Sequence, residues 1–345
     1  MACKRQHFVP QFLQRGFASH VDGGETFTWV YRKGAQPFNA NVKNAGVEGF
    51  FYSLGQDTEL DEAITVFEGD FNSLISDLKS GAAHVTADAL RIAQLLAHLE
   101  VRTRHLRQSF LETGTHFLDE LMKFAADEKA FGRYFRHAIQ REPSLIRNAM
   151  AKQMQKNGIP LHYLPQANEM CGPLLEKVLP KTLSRMSEFA QQFRGSLPGI
   201  LKEATKSGHV KSLLETLTPE KKVNRFADLQ FQVRESSGPP LVLGDSIVLF
   251  QIEGDRIFKP FLEGNDELVA VYLPLSPQQF LVGYNSSLEL NPTLLRREIA
   301  RCSLEHFVAS EAPPAHNDLH QLIGENAHLL SISQVETILY KLING

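Results

Sequence analysis

The sequence predicts an α+β protein, and three observations carry that prediction. A segment near the start is rich in β-branched and aromatic residues. A long middle region repeats its apolar residues at helical spacing. After Pro219, short apolar segments alternate with glycine and proline turns. The order β, long α, β, α fits a large helical middle region with a mainly antiparallel sheet formed from N-terminal and C-terminal strands. The 345 residues are read as one composite domain: β-rich over 1–56, helical over 57–218, β-rich over 225–284 and helical again over 291–343.

Each element has its own warrant. Thr26-Phe27-Thr28-Trp29-Val30-Tyr31 is a strand by composition, bracketed by the turn signals Asp22-Gly23-Gly24 and Lys33-Gly34. Val47 to Tyr52 ends in Phe50-Phe51-Tyr52 and either pairs with that strand or caps a core. Residues 57–80 read as a helix: Asp57 or Thr58 caps it, acidic residues fill its first turn, and Gly81 ends it. Its apolar positions are Leu60, Ile64, Phe67, Phe71, Leu74, Ile75 and Leu78. The strongest helical pattern covers 86–124, with Gly114 as a candidate break. Further helices are expected at 142–157, 168–193, 197–207 and 209–217, punctuated by prolines. Strands are expected at 226–234, 241–250, 256–259, 268–273 and 279–282, then helices at about 291–310, 316–328 and 332–343.

Composition excludes several classes. Hydrophobic residues make up 43% and charged residues 22%, as in an ordinary globular protein, and the net charge of −3 argues against a broadly basic nucleic-acid coat while leaving room for a local basic groove. Cys3, Cys171 and Cys302 are dispersed and form no CxxC pair, which fits free thiols in a reducing compartment. No apolar run approaches the roughly 18 residues of a membrane helix, and no targeting segment is legible, so a cytoplasmic protein without a membrane partner is expected. A Gly-rich phosphate loop, HExxH, GxSxG and the kinase signatures are all missing.

Four stretches resemble the DUF4238 family, which is functionally uncharacterised. The first is Gln6-His7-Phe8-Val9-Pro10 with Phe12-Leu13 and Phe17. The second is Phe51-Tyr52 followed by Glu62 and Glu68, and the third is Arg102-Thr103. The fourth is Leu241-Val242-Leu243-Gly244-Asp245 with Pro274-Leu275-Ser276-Pro277. Here the family pattern reads roughly Ser-Asp-Asn-Pro, whereas this chain reads Gly244-Asp245-Ser246-Ile247. The aspartate is kept; the asparagine and proline are not.

The chemistry of these residues points to a site. His7 titrates near neutrality and suits a general base, a general acid or a metal ligand; the alternative is a hydrogen-bonded structural histidine. Glu62 and Glu68 are six residues apart, about 120° around a helix, whereas Asp61 and Glu68 lie within about 20° of one face. Such a stripe either holds a divalent cation or is a solvated helix face. Glu68 sits between Phe67 and Phe71, where a carboxylate needs a partner. Arg102, with Arg104, Arg107, His98 and His105 nearby, suits a phosphate or carboxylate, or else a solvated helix end. Asp245, at the end of an apolar strand, is either a ligand or a turn aspartate.

Together these residues lead to an expectation of a metal-dependent phosphodiester hydrolase, nuclease-like, in a defence or toxin context. Glu68 and Asp245, with Glu62, would hold Mg²⁺ or Mn²⁺. His7 would activate water and Arg102 would bind the phosphate. The alternative is a non-catalytic binding protein that recognises a protein partner or a nucleotide-like ligand, with the same residues forming a structural polar network. A transferase using a nucleotide cofactor comes last, since no phosphate loop supports it.

Overall fold

Phe8, Val9, Leu13 and Phe17 are all buried, so the apolar stripe after the opening histidine is core. The computed structural model describes residues 5–55, 57–82, 85–254, 256–285, 291–328 and 332–344. The fold is α+β and more than half helical, with antiparallel sheets built from N-terminal and C-terminal strands. The chain, read above as one composite domain, divides into two compact units: Met1–Phe110 with Ala204–Leu329, and Leu111–Glu203 with Leu330–Gly345.

The first unit opens with β1 (Arg5–His7), α1 (Gln11–Gln14), β2 (His20–Asp22), β3 (Glu25–Arg32), β4 (Phe38–Asn41) and β5 (Val47–Gly49). The Val47 segment does not pair with the Thr26–Tyr31 strand. It pairs with β1, in the register Arg5↔Gly49, Gln6↔Glu48 and His7↔Val47. Helix α2 (Glu59–Ser80) follows. Asp57 accepts a hydrogen bond from the Glu59 N–H (2.9 Å), and Gly81 closes the helix at φ 74°, a left-handed conformation suited to glycine. The expected helix 86–124 is two helices, α3 (Ala89–Val101) and α4 (Arg104–Ala126), broken at Arg102-Thr103. Thr103 starts α4, its hydroxyl accepting from the Leu106 N–H (3.2 Å).

The second unit contains most of the helical middle, with α5 (Glu128–Arg141), α6 (Ser144–Lys156) and α7 (Leu164–Glu215) as far as Glu203. No helix was expected over α5. Helix α7 runs through the two expected breaks, at 194–196 and at 208, with Pro173, Pro180 and Pro198 inside it.

Returning to the first unit, α8 (Glu220–Ala227) occupies the start of the expected strand 226–234. Phe226 belongs to a helical face with Val223, three residues before it, and α8 packs on α3. The remaining strands are β6 (Gln230–Glu235), β7 (Leu243–Gly244), β8 (Leu249–Ile252), β9 (Phe258–Lys259), β10 (Leu268–Pro274) and β11 (Gln279–Tyr284). The expected strand 241–250 is thus broken, and Ile247 turns the chain at φ 65°.

Next come α9 (Pro292–Cys302), β12 (His306–Ala309) and α10 (Asn317–His320), and α11 (Ile332–Asn344) follows in the second unit. The expected helix 291–310 stops at Cys302 because residues 306–309 form a fully buried strand, and a short apolar run cannot be told from buried helix by periodicity.

One sheet has the order β6-β11-β10-β8-β9. A second joins the two ends of the chain in the order β2-β3-β12-β7, with β4 also on β3; β1 and β5 form a separate pair. Among the described residues, no helix is long and apolar enough to cross a membrane.

Candidate functional site

The site is built on the first strand. Phe8 and Val9 donate their N–H groups to the Gly46 carbonyl (3.0 and 3.3 Å). Gly46 has φ 58°, and a Cβ there would lie 2.7 Å from that of Val9, so this close approach requires glycine. Fully buried Gln14 donates to the carbonyls of Val9 (2.8 Å) and Ala45 (3.1 Å). Gln6 donates to the Ser53 hydroxyl (2.9 Å) and accepts from the Tyr52 N–H (2.6 Å), which ties β1 to the Phe51-Tyr52 segment.

Arg102 is buried at the junction of α3 and α4. Its Nε donates to the Tyr52 hydroxyl (3.0 Å), its Nη2 to the carbonyl of His7, and its Nη1 faces the carboxylate of Glu68. The Tyr52 hydroxyl donates in turn to the Arg102 carbonyl (3.1 Å). Behind Glu68 stands His98, whose Nε2 is 3.5 Å from Glu68 Oε1 and whose Nδ1 is 3.2 Å from the Leu217 carbonyl. Burial pushes His98 down to about 4.

Arg102 and Glu68 reach a cavity of about 380 Å³ that His7, Asp61 and Thr65 also line, with Arg5 and Arg15 on its wall. The His7 Nδ1 lies 3.4 Å from the Gln11 amide. Burial lowers the His7 pKa, and the charges of Arg102 and Arg5 add to this, while the Val42 and Lys43 backbone opposes it. Asp61 moves the other way: burial raises its pKa, against the Gln6 hydrogen bond and the Arg102 charge. Burial thus favours the neutral form of both side chains on this wall.

Of the expected residues, the structure therefore brings together His7, Glu68 and Arg102. It does not bring Asp245 or Glu62 to the cavity. Buried Asp245 accepts three backbone N–H bonds, from Leu304 (2.7 Å), Glu305 (2.8 Å) and His306 (3.1 Å), so its oxygens hold β12 in place. Glu62 accepts from the Thr58 hydroxyl (2.8 Å) in the first turn of α2 and lines a different hollow, with Asp57 and Phe67. The 120° between Glu62 and Glu68 is the reason; Asp61, one heptad before Glu68, takes the cavity face instead. Asp61 and Tyr52 are the contributors that the expected site left out, although the Asp61–Glu68 spacing was legible.

Arg104 pairs with Glu48 (3.0 Å) and with Glu305. Arg107 donates to the Phe51 carbonyl (2.8 Å) and lies 3.7 Å over the Phe51 ring, so both arginines act as struts. Among the described residues, no group of three or more His, Cys, Asp or Glu side chains is placed to hold a metal ion.

The geometry defines an α+β protein whose opening strand, first long helix and helix junction converge on one polar cavity. Three of the four stretches carrying the resemblance, those of His7, Tyr52 with Glu68, and Arg102, are the ones that meet there. The family profile described as a protein of unknown function, DUF4238, matches residues 5–298, and the chain belongs to that family. No curated protein and no solved structure matches it.

Proposed function

We propose that this cavity is the active site of a hydrolase acting on phosphodiester bonds, with nucleic acid as substrate. The observation that carries the reading is the convergence of His7, Glu68 and Arg102, from three separate segments, on the wall of one polar cavity. The lowered pKa of His7 favours its neutral form at pH 7, the form that takes a proton from water. Arg102, Arg5 and Arg15 give the wall a cationic component suited to phosphate. Mg²⁺ or Mn²⁺ belongs to this reading through Glu68 and Asp61 alone. Mg²⁺ is commonly held by one or two carboxylates, with water and substrate phosphate completing its shell, and it would supply charge to the phosphate oxygens.

The test is hydrolysis of bis(p-nitrophenyl) phosphate and of single- and double-stranded DNA and RNA, with Mg²⁺, Mn²⁺ or EDTA. Cleavage that falls about 10²- to 10⁴-fold in His7→Ala supports the reading. Absence of cleavage under every condition sinks it.

One observation favours a second reading, a non-catalytic binding protein. Fully buried Arg102 already donates to Tyr52 and the His7 carbonyl and pairs with Glu68, as in a structural network. Nucleotide binding to the cavity without turnover would support it.

A further inference from the structure

Outside that cavity, the second unit carries a feature that no part of the proposed reaction uses. Between residues 129 and 156 stand seven lysines and arginines against one acidic residue, Glu142, in a chain whose net charge is −3. On α5, Lys129, Arg133, His137 and Arg141 follow one another at four-residue spacing, so they form a single stripe drifting about 40° per step. All four are exposed, as are Arg147, Lys152 and Lys156 on α6. Among the described residues, Lys129, Arg133, Arg147, Lys152 and Lys156 make no ion pair. Gly132 seats α5 on α7, since a Cβ there would lie 2.9 Å from Leu183 Cδ1.

Beside the stripe is a cavity of about 540 Å³ lined by Phe124, Ala130, Arg133, Tyr134, His137 and Ile343. The Phe124 and Tyr134 rings stand edge to face, 5.6 Å apart, next to the guanidinium-bearing wall.

We propose that this face of the second unit binds single-stranded nucleic acid. Phosphates run along the Lys129, Arg133 and Arg141 stripe, and a splayed base stacks in the aromatic cavity against Tyr134. Charge complementarity selects a polyanion, and an aromatic pocket next to a cationic track is what an unpaired strand requires, because a duplex keeps its base faces stacked and closed. A membrane surface fits less well. The aromatic residues of α5, Phe131, Tyr134 and Phe135, are half-buried and pack on one another, so no continuous apolar face is left to enter a bilayer. The inference rests on no residue of the His7 cavity.

The experiment is fluorescence anisotropy of the full chain with labelled oligothymidylate in EDTA, across a salt series. Three variants are compared: Arg133→Glu with Arg141→Glu, Tyr134→Leu, and Lys202→Glu as a control. The double charge reversal should weaken binding at least about tenfold and flatten the dependence of log Kd on log salt, by about 0.7 for each phosphate no longer neutralised. Tyr134→Leu keeps apolar volume and should weaken binding about 5- to 150-fold with the salt slope intact. Lys202→Glu should bind as wild type does.

Equal affinity for blunt duplex, no effect of the charge reversal, or binding only to anionic phospholipid vesicles would each overturn the proposal. Hydrolysis of bis(p-nitrophenyl) phosphate by the Arg133→Glu, Arg141→Glu variant separates the two sites. It should match wild type, so the docking face and the cavity can fail independently.

Discussion

Arg102 and Glu68 meet as a guanidinium–carboxylate pair on the wall of a polar cavity, and the same guanidinium holds the carbonyl oxygen of His7. Arg102 is 1% exposed and the Glu68 side chain 17%, so the pair sits where water screens it weakly. Removing one partner of such a pair leaves the other charge without compensation. Arg102→Met should therefore cost about 2–4 kcal/mol in urea unfolding, somewhat below the full value for a dry pair because Glu68 retains some solvent. Glu68→Gln should cost less, since an amide oxygen can still accept from the guanidinium. A double-mutant cycle giving no coupling between the two positions would reject the pairing.

The buried histidines set the acid limit of the fold. His98, His105, His209, His306 and His316 are each pushed down to about 4, burial being the largest cause in every case. Unfolded histidine takes a proton near 6.5, so between pH 6.5 and 4 the unfolded chain binds more protons than the folded one. Their contribution to stability is complete above pH 6.5 and is lost as the pH falls toward 4. Glu100 and Asp245 act in the opposite sense, because burial raises both carboxyls. Burial also lowers His7 and raises Asp61, so six histidines stand against three acids and the histidines dominate. Unfolding free energy should drop by about 2 kcal/mol or more per pH unit between pH 6 and 5. His105 is fully buried, so His105→Leu replaces it with an apolar side chain, should fold, and should flatten that slope by about 1.4 kcal/mol per unit. A stability profile that is level from pH 7 to 5 would contradict this account.

Asp245 distinguishes a structural aspartate from a ligand. Its carboxylate gathers the N–H groups of three consecutive residues, Leu304 to His306, at the start of β12. Asp245→Asn replaces one acceptor by a donor facing an N–H, so a destabilisation of about 1–3 kcal/mol is expected. Any phosphodiester cleavage by the folded variant should match wild type. Loss of cleavage at unchanged stability would return Asp245 to the site.

Particular residues show what the sequence made legible and what it did not. The α2 helix was readable because its caps and its periodic apolar face agree, and Gly81 stands where a left-handed residue is needed. The convergence of His7, Glu68 and Arg102 was expected from motif stretches alone, but the link between them was not. It runs through Tyr52 and the backbone carbonyl of His7, and backbone acceptors leave no mark in sequence. Strand β12 was read as helix because His306 to Ala309 is a short, wholly buried apolar run, whose partners β3 and β7 lie far away in the chain. Asp245 looked like a strand-end ligand for the same reason: the three N–H groups it holds are about sixty residues further on. Long-range pairing decided each of these cases, and local pattern carries little information about it.

The pH dependence of catalysis tests the role of His7 directly. Burial, with the nearby charges of Arg102 and Arg5, places its pKa below the ordinary 6.5. A general base must be unprotonated, so kcat/KM for phosphodiester cleavage should rise with pH through a pKa below 6.5 and be level by pH 7. Asp61 contributes in the acid range as well, since burial raises its carboxyl. The limb should therefore steepen where both groups titrate, and Asp61→Asn should leave a single ionisation. His7→Gln keeps a polar side chain of similar reach but cannot take the proton. It should lower kcat by about 10²- to 10⁴-fold and leave only the Asp61 ionisation in the limb, with KM little changed. A His7→Gln variant that keeps the wild-type pH profile would remove His7 from the chemistry, leaving it a structural histidine at the end of β1.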